Sequence, residues 1–185
     1  MRVFGIAGSL RAGSFNRSLL RAAVELAPDG MEIGIFERLG EIPPYNEDVE
    51  KSGDPEPVAA LKKAIREADA LLIATPEYNY GVPGVLKNAI DWASRPPRDS
   101  VLARKPAAIM GASPGQGGTV RAQLALRQSF LFTQIHALLR PEVLIASAGE
   151  KFDASAPFIR HPESPRPCSV VPRAAGPRNL VTRGG

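Results

Sequence analysis

Short apolar runs alternate with stretches of helical periodicity from the start of this chain to about residue 146, and that alternation leaves few folds open. A strand buried on both faces reads as a near-continuous apolar run, whereas a helix laid over a sheet repeats its apolar residues three and four apart. Residues 3–7, 31–36, 70–74, 105–112 and 143–146 have the first pattern. Between them, Leu19, Leu20, Ala23 and Val24 share one face of a helix from about Asn16, and Val58, Leu61, Ala64, Ile65 and Ala68 mark a second. A third opens at 84–92 behind Pro83, whose missing N–H is harmless at a helix start, and a fourth spans 118–132. The order β-α-β-α-β-α-β-α-β predicts an α/β domain with a parallel sheet covered by helices on both faces.

A chain of 185 residues has room for one such domain and not for two. From Phe152 to the end, six prolines in 34 residues leave no helical period. The expectation is a folded domain over 1–151 and a disordered or aberrant Pro/Arg-rich tail over 152–185, with the last helix of the fold missing. That tail carries five arginines against Asp153 and Glu163, so it holds +3 of the net charge of +4 and the rest is almost neutral. With no basic helix and no run of stacking aromatics, a nucleic-acid partner is excluded from the reading. No run approaches the roughly 18 apolar residues of a membrane span, and the N-terminus has no cleavable signal pattern. The single cysteine, Cys168, allows no internal disulfide and no cysteine metal site, so a cytoplasmic protein is expected.

Three loops of unusual composition follow the first, third and fourth strands, where ligands of open α/β sheets bind. In the first, Gly8-Ser9-Leu10-Arg11-Ala12-Gly13-Ser14-Phe15-Asn16, Ser9, Ser14 and Asn16 offer hydrogen bonds, Arg11 a charge, and the following helix its amides. That set suits a phosphate, the favoured reading, while Ser14 or Asn16 capping the helix is the alternative and can coexist with it. The spacing from Gly8 to Gly13 imitates a phosphate loop, but Ser14 stands where its lysine would be, and no G-x-G-x-x-G is present. The second, Thr75-Pro76-Glu77-Tyr78-Asn79-Tyr80-Gly81-Val82-Pro83-Gly84, is rigid and aromatic enough to hold a flat heteroaromatic ring, or is an ordinary stiff turn. The third runs from Gly111 through Ser113, Pro114 and Gly115 to Thr119 and allows close backbone approach, or is a linker with Thr119 or Ser113 capping the next helix.

Taken together, Gly8-Ser9-Leu10-Arg11-x-x-Ser14-x-Asn16, residues 76–92 and Gly111-Ala112-Ser113-Pro114-Gly115 resemble the NADPH-dependent FMN reductase family, which includes quinone, azo-dye and chromate reductases. The resemblance covers about residues 1–151. It implies a flavodoxin-like three-layer sandwich with strand order 2-1-3-4-5, and FMN held without a covalent bond. Ser9, Arg11, Ser14 and Asn16 would bind its phosphate. Pro76, Glu77, Tyr78 and Asn79 would line the isoalloxazine, and Ser113 and Gly115 would close the other side. NADPH or NADH would donate electrons, and a small-molecule acceptor such as a quinone, azo compound, free flavin or metal oxyanion would take them. A homodimer or homotetramer is implied, and no side chain is needed as a catalytic acid or base. The competing expectations are an FMN-binding electron carrier without turnover and an inactive product with an altered C-terminus. Elsewhere, His136 reads as a packed histidine in an apolar stretch, and Lys87 and Asp91, four apart, as a helix ion pair.

Overall fold

The computed structural model describes residues 1–152. Four strands, β1 (Arg2–Ala7), β2 (Glu32–Ile35), β3 (Ala70–Ala74) and β4 (Pro106–Ala112), pair parallel in the order β2-β1-β3-β4. The fifth position is filled by two short strands. β5 (His136–Ala137) pairs with Pro106 and Ala107, and β6 (Val143–Ile145) pairs with Met110, Gly111 and Ala112. The fifth strand expected at 143–146 is therefore only half of the sheet edge, and residues 139–142 leave the ladder between the halves. Pro141 has no N–H to give to a ladder, which suits it to that gap.

The connecting helices are α1 (Phe15–Glu25), α2 (Glu47–Ser52), α3 (Glu56–Glu67), α4 (Gly84–Ala93) and α5 (Val120–Thr133). Strand side chains alternate between two cores, as the period of two requires. Phe4, Ile6, Leu71, Ile73, Ala107 and Ile109 face α3, α4 and α5, whereas Val3, Ala7, Leu72, Ala74, Ala108 and Met110 face α1. The first core is the larger and includes the fully buried Trp92, a side chain that costs about 3–5 kcal/mol to truncate to alanine. Its Nε1 donates to the Pro43 carbonyl at 2.8 Å, and Asn88 of the same helix donates to that carbonyl and accepts from the Tyr45 N–H. Two residues of the 76–92 motif thus fix the segment that enters α2.

α2 is an element that apolar periodicity does not reveal, because none of its residues is buried. Its visible signals are local: the Asn46 side chain accepts from the Asp48 N–H, and Glu47, Asp48 and Glu50 place negative charge in the first turn. His136 also differs from expectation. It lies exposed in β5 while Ile135 before it is buried, the alternation of an edge strand and not of a packed histidine. Lys87 and Asp91 do pair, at 2.6 Å on an exposed face of α4. Phe152 belongs to the domain, since it is 7% exposed in the α1 core with its ring 5.8 Å from that of Phe15. The expected tail beyond it, and with it the missing last helix, falls outside the described residues. Among those described, no helix is long and apolar enough to cross a membrane.

Candidate functional site

Because β1, β3 and β4 are neighbours, the loops that follow them emerge side by side at the carboxyl ends of the strands. The chain leaves β1 toward β2 on one side and returns to β3 on the other, so the first two loops flank the point where strand order reverses, the usual crevice of such sheets. The strand ends are tied at their roots. Gly8 N–H donates to the Ala74 carbonyl at 2.8 Å, and Thr75 N–H donates to that of Met110 at 2.9 Å. A Cβ on Gly8 would lie 2.9 Å from Leu86 and 3.2 Å from Pro76, so glycine there lets the first loop pass the second.

In the first loop Ser14 caps α1, its hydroxyl accepting from the Asn16 and Arg17 N–H groups at 3.2 and 3.4 Å. Capping is thus realised, and it does not use the backbone donors at the tip of the loop. Among the described residues no acceptor meets the N–H groups of Leu10, Ala12 and Gly13, and no carboxylate pairs with Arg11. The Arg11 guanidinium is exposed, 5.6 Å from the Phe15 ring centroid. Buried Ser9 accepts from the Arg11 N–H and shares a 3.2 Å hydrogen bond with the Tyr78 hydroxyl, which joins the first loop to the second.

Asn16 has a structural role besides the phosphate contact expected of it. Only 2% exposed, it donates from Nδ2 to the Ala112 carbonyl and accepts from the Ala112 N–H, both at 2.9 Å. It works as a clamp from α1 to the end of β4, and both ends of its amide are engaged.

The second loop ends in a tight turn. Tyr78 and Gly81 exchange backbone hydrogen bonds around Asn79 and Tyr80, whose φ values are +49° and +65°. Positive φ at both central positions is the geometry of a type I′ turn, natural for asparagine and costly for tyrosine. Tyr80 is 71% exposed, and the Arg121 guanidinium stands 3.9 Å from its ring centroid. Tyr78 is also exposed, while Pro76 is buried at the base of the loop. The tip therefore presents two rings on a stiff support.

Glu77 reaches away from that tip. Its carboxylate accepts from the Arg121 N–H at 2.9 Å, the Ala122 N–H at 3.2 Å and the Arg121 guanidinium at 3.0 Å, with 11% of the side chain exposed. Burial pushes the carboxyl pKa up, but the bonds from Ala122 and Arg121 outweigh it and hold the group below its ordinary value. The expectation that Thr119 or Ser113 caps the fourth long helix is thereby corrected. Thr119, at φ +75°, makes no capping bond, and a carboxylate 44 residues away supplies the acceptor for α5. Nothing in the local pattern around residue 120 signals this, and neither Arg121 nor its pairing was identified from the sequence.

In the third loop Ser113 Oγ accepts from the Gly115 N–H at 3.1 Å, while the Ser113 and Gly115 carbonyls accept from the Ala148 and Ser147 N–H groups. The glycines differ in purpose. A Cβ on Gly111 would overlap Thr119 Oγ1 and come within 2.7 Å of the Thr75 carbonyl oxygen, and one on Gly118 would lie 2.9 Å from the Leu144 backbone. Gly115 has no such crowding and is exposed on the rim. Close approach at Gly111 and Gly118 thus serves the protein's own packing. A cavity of about 240 Å³ lies on the far side of Ser9 and Leu10, against Arg17, Phe36, Glu37 and Leu39, and stands apart from the second and third loops.

A family model described as NADPH-dependent FMN reductase matches residues 1–150. An NAD(P)H-dependent FMN reductase of Pseudomonas aeruginosa is 55% identical over 159 residues, which cover 86% of this chain and 85% of that protein. A quinone reductase of Pseudomonas putida is 45% identical over 150 residues, 81% of this chain and 80% of its own. Among solved structures, the flavoenzyme NAD(P)H:(acceptor) oxidoreductase of Paracoccus denitrificans superposes with a TM-score of 0.77 at 38% identity, covering 83% of both chains.

Proposed function

The chain belongs to the NADPH-dependent FMN reductase family, and on that premise we propose that it is an NAD(P)H-dependent flavin oxidoreductase delivering electrons to quinones, azo compounds, free flavin or metal oxyanions. The observation that carries this reading is the closure of three loops from neighbouring strands into one rim at the switch point. Ser9 to Tyr78 ties the first to the second, and Glu77 ties the second to the helix behind the third. The donor set fits FMN. The N–H groups of Leu10, Ala12 and Gly13 and the exposed Arg11 guanidinium suit a dianionic phosphate at the start of α1. The second loop offers the rings of Tyr78 and Tyr80, and the exposed Gly115 leaves the backbone open on the other side.

Within this reading Ser9 and Arg11 bind the phosphate, Ser14 orients the first turn of α1, and Asn16 holds the crevice open at a fixed width through Ala112. Pro76, Tyr78 and Asn79 line the ring, with Ser113 and Gly115 opposite. Bound FMN supplies hydride acceptance from the nicotinamide and electron delivery to the oxidant. The protein's part is to bind, orient and leave one ring face open, and no side chain of the rim is required as a proton donor.

We place the flavin domain at residues 1–151, extended by Phe152, in a cytoplasmic homodimer or homotetramer. Leu124, Leu131 and Phe132 of α5 and Leu139 after β5 are exposed, which supports self-association through that side. The visible spectrum of the purified full-length chain tests the function. It should be yellow and bleach within seconds of anaerobic NADPH addition. A yellow protein reduced only by a separate reductase would make it an electron carrier, and a colourless one that takes up no FMN would sink the flavin reading.

A further inference from the structure

We infer that Glu77 is a positioning residue for the flavin site, acting through the N-terminus of α5 and the third loop and not by touching the flavin. The inference rests on the FMN reading above. It follows from where the carboxylate goes. Glu77 lies between Pro76 and Tyr78, on the stretch that would line the isoalloxazine, yet its three hydrogen bonds point to Arg121 and Ala122.

Three further observations make that link more than a surface ion pair. α5 has no cap of its own: Thr119, at φ +75°, makes no capping bond, and its side chain occupies the space that the missing Cβ of Gly111 leaves. The first-turn amides of α5 therefore depend on a carboxylate brought from another strand, and the dipole of the helix favours that negative charge. Arg121 also closes on the tip of the second loop, its guanidinium stacked on the Tyr80 ring. Finally, the third loop leads directly into α5 and is pinned on its other side to Ser147 and Ala148. Glu77 thus sets the distance between the two walls that would hold the ring. Without it the second loop loses its hydrogen bonds to the α5 amides and is joined to α5 through the Arg121 contact with the Tyr80 ring.

Among the described residues, the charged group that meets Glu77 is Arg121, from α5. The carboxylate is held ionised by the two α5 amides together with that guanidinium.

The test is FMN binding to the full-length apoprotein, followed by quenching of flavin fluorescence, with folding checked by circular dichroism. Glu77→Ala should bind FMN about tenfold more weakly, as expected for the loss of a charge-assisted bond that organises the site. Glu77→Gln, which keeps one acceptor oxygen, should fall between it and the wild type, at about threefold. Asp54→Asn breaks the Lys62 ion pair at 2.6 Å, remote from the loops, and should lower the melting temperature without changing FMN affinity. A merely structural Glu77 would behave like Asp54. If Glu77→Ala does not fold, Glu77→Gln decides alone. Equal FMN affinity of the folded variants and the wild type overturns this inference and leaves the FMN reading standing, whereas a wild type that binds no FMN overturns both.

Discussion

α1 and α5 begin at the same end of the sheet, each behind a glycine-bearing loop, yet their first turns are satisfied in opposite ways. α1 is capped from within, by the hydroxyl of Ser14 on the amides two and three residues ahead. α5 is capped from outside, by Glu77, with the small Gly111 making room for Thr119 beside it. A local cap costs little conformational entropy and works wherever the helix forms. A distant one is available only after β3 and β4 have paired, so it reports on the tertiary structure and couples two loops that a local cap would leave independent.

That contrast can be broken experimentally, and the non-local end should give the larger effects. Gly111→Ala forces a methyl into Thr119 and the Thr75 carbonyl, so the start of α5 or the end of β4 must move, and the loss should be about 3 kcal/mol in urea unfolding. An unchanged midpoint would mean that α5 starts independently of β4. Asn16→Ala removes the buried distant tie of α1 to the end of β4 and leaves the Ala112 N–H and C=O without that partner, for about 2 kcal/mol by the same measurement. Ser14→Ala tests the local cap alone and should cost about 1 kcal/mol. If it costs more than Asn16→Ala, the ranking of local and distant ties is reversed.

The smallest signal is a pH dependence. The folded Glu77 pKa is lowered, so its contribution is fully present above the ordinary carboxylate value and is lost as pH falls through the folded pKa. Melting curves should show the wild type losing stability below about pH 4.5 more steeply than Glu77→Gln, which has no proton to take up. Parallel curves would mean that the carboxylate is not held ionised by α5.

Much of this was legible in the sequence because much of it is local. β3 stands where its unbroken apolar run puts it, and α4 begins behind Pro83 and carries its buried residues three and four apart. Ser14, placed just ahead of a helical pattern, was readable as a cap. The misses share a physical origin. α2 buries nothing and so has no period to read, and β5 is too short for its alternation to stand out until pairing with Pro106 and Ala107 defines it. His136 was misread for the same reason, since an apolar neighbourhood in sequence says nothing about which side of an edge strand faces water.

The candidate site divides along the same line. Its composition and the order of its three loops are sequence properties: glycine and hydroxyls ahead of α1, prolines and tyrosines after β3, glycines after β4. Which of those side chains are free to meet a ligand was decided by the tertiary structure, because hydrogen bonds between residues far apart in the chain claim some of them first. Asn16 is taken by Ala112 and Glu77 by Arg121 and Ala122, while Arg11, Tyr78 and Gly115 remain exposed on the rim. The sequence by itself determined the alternating α/β chain and the inventory of donors at its strand ends. Only the folded sheet, by bringing residue 77 against residue 121, decided which of those groups hold the walls and which face the crevice between them.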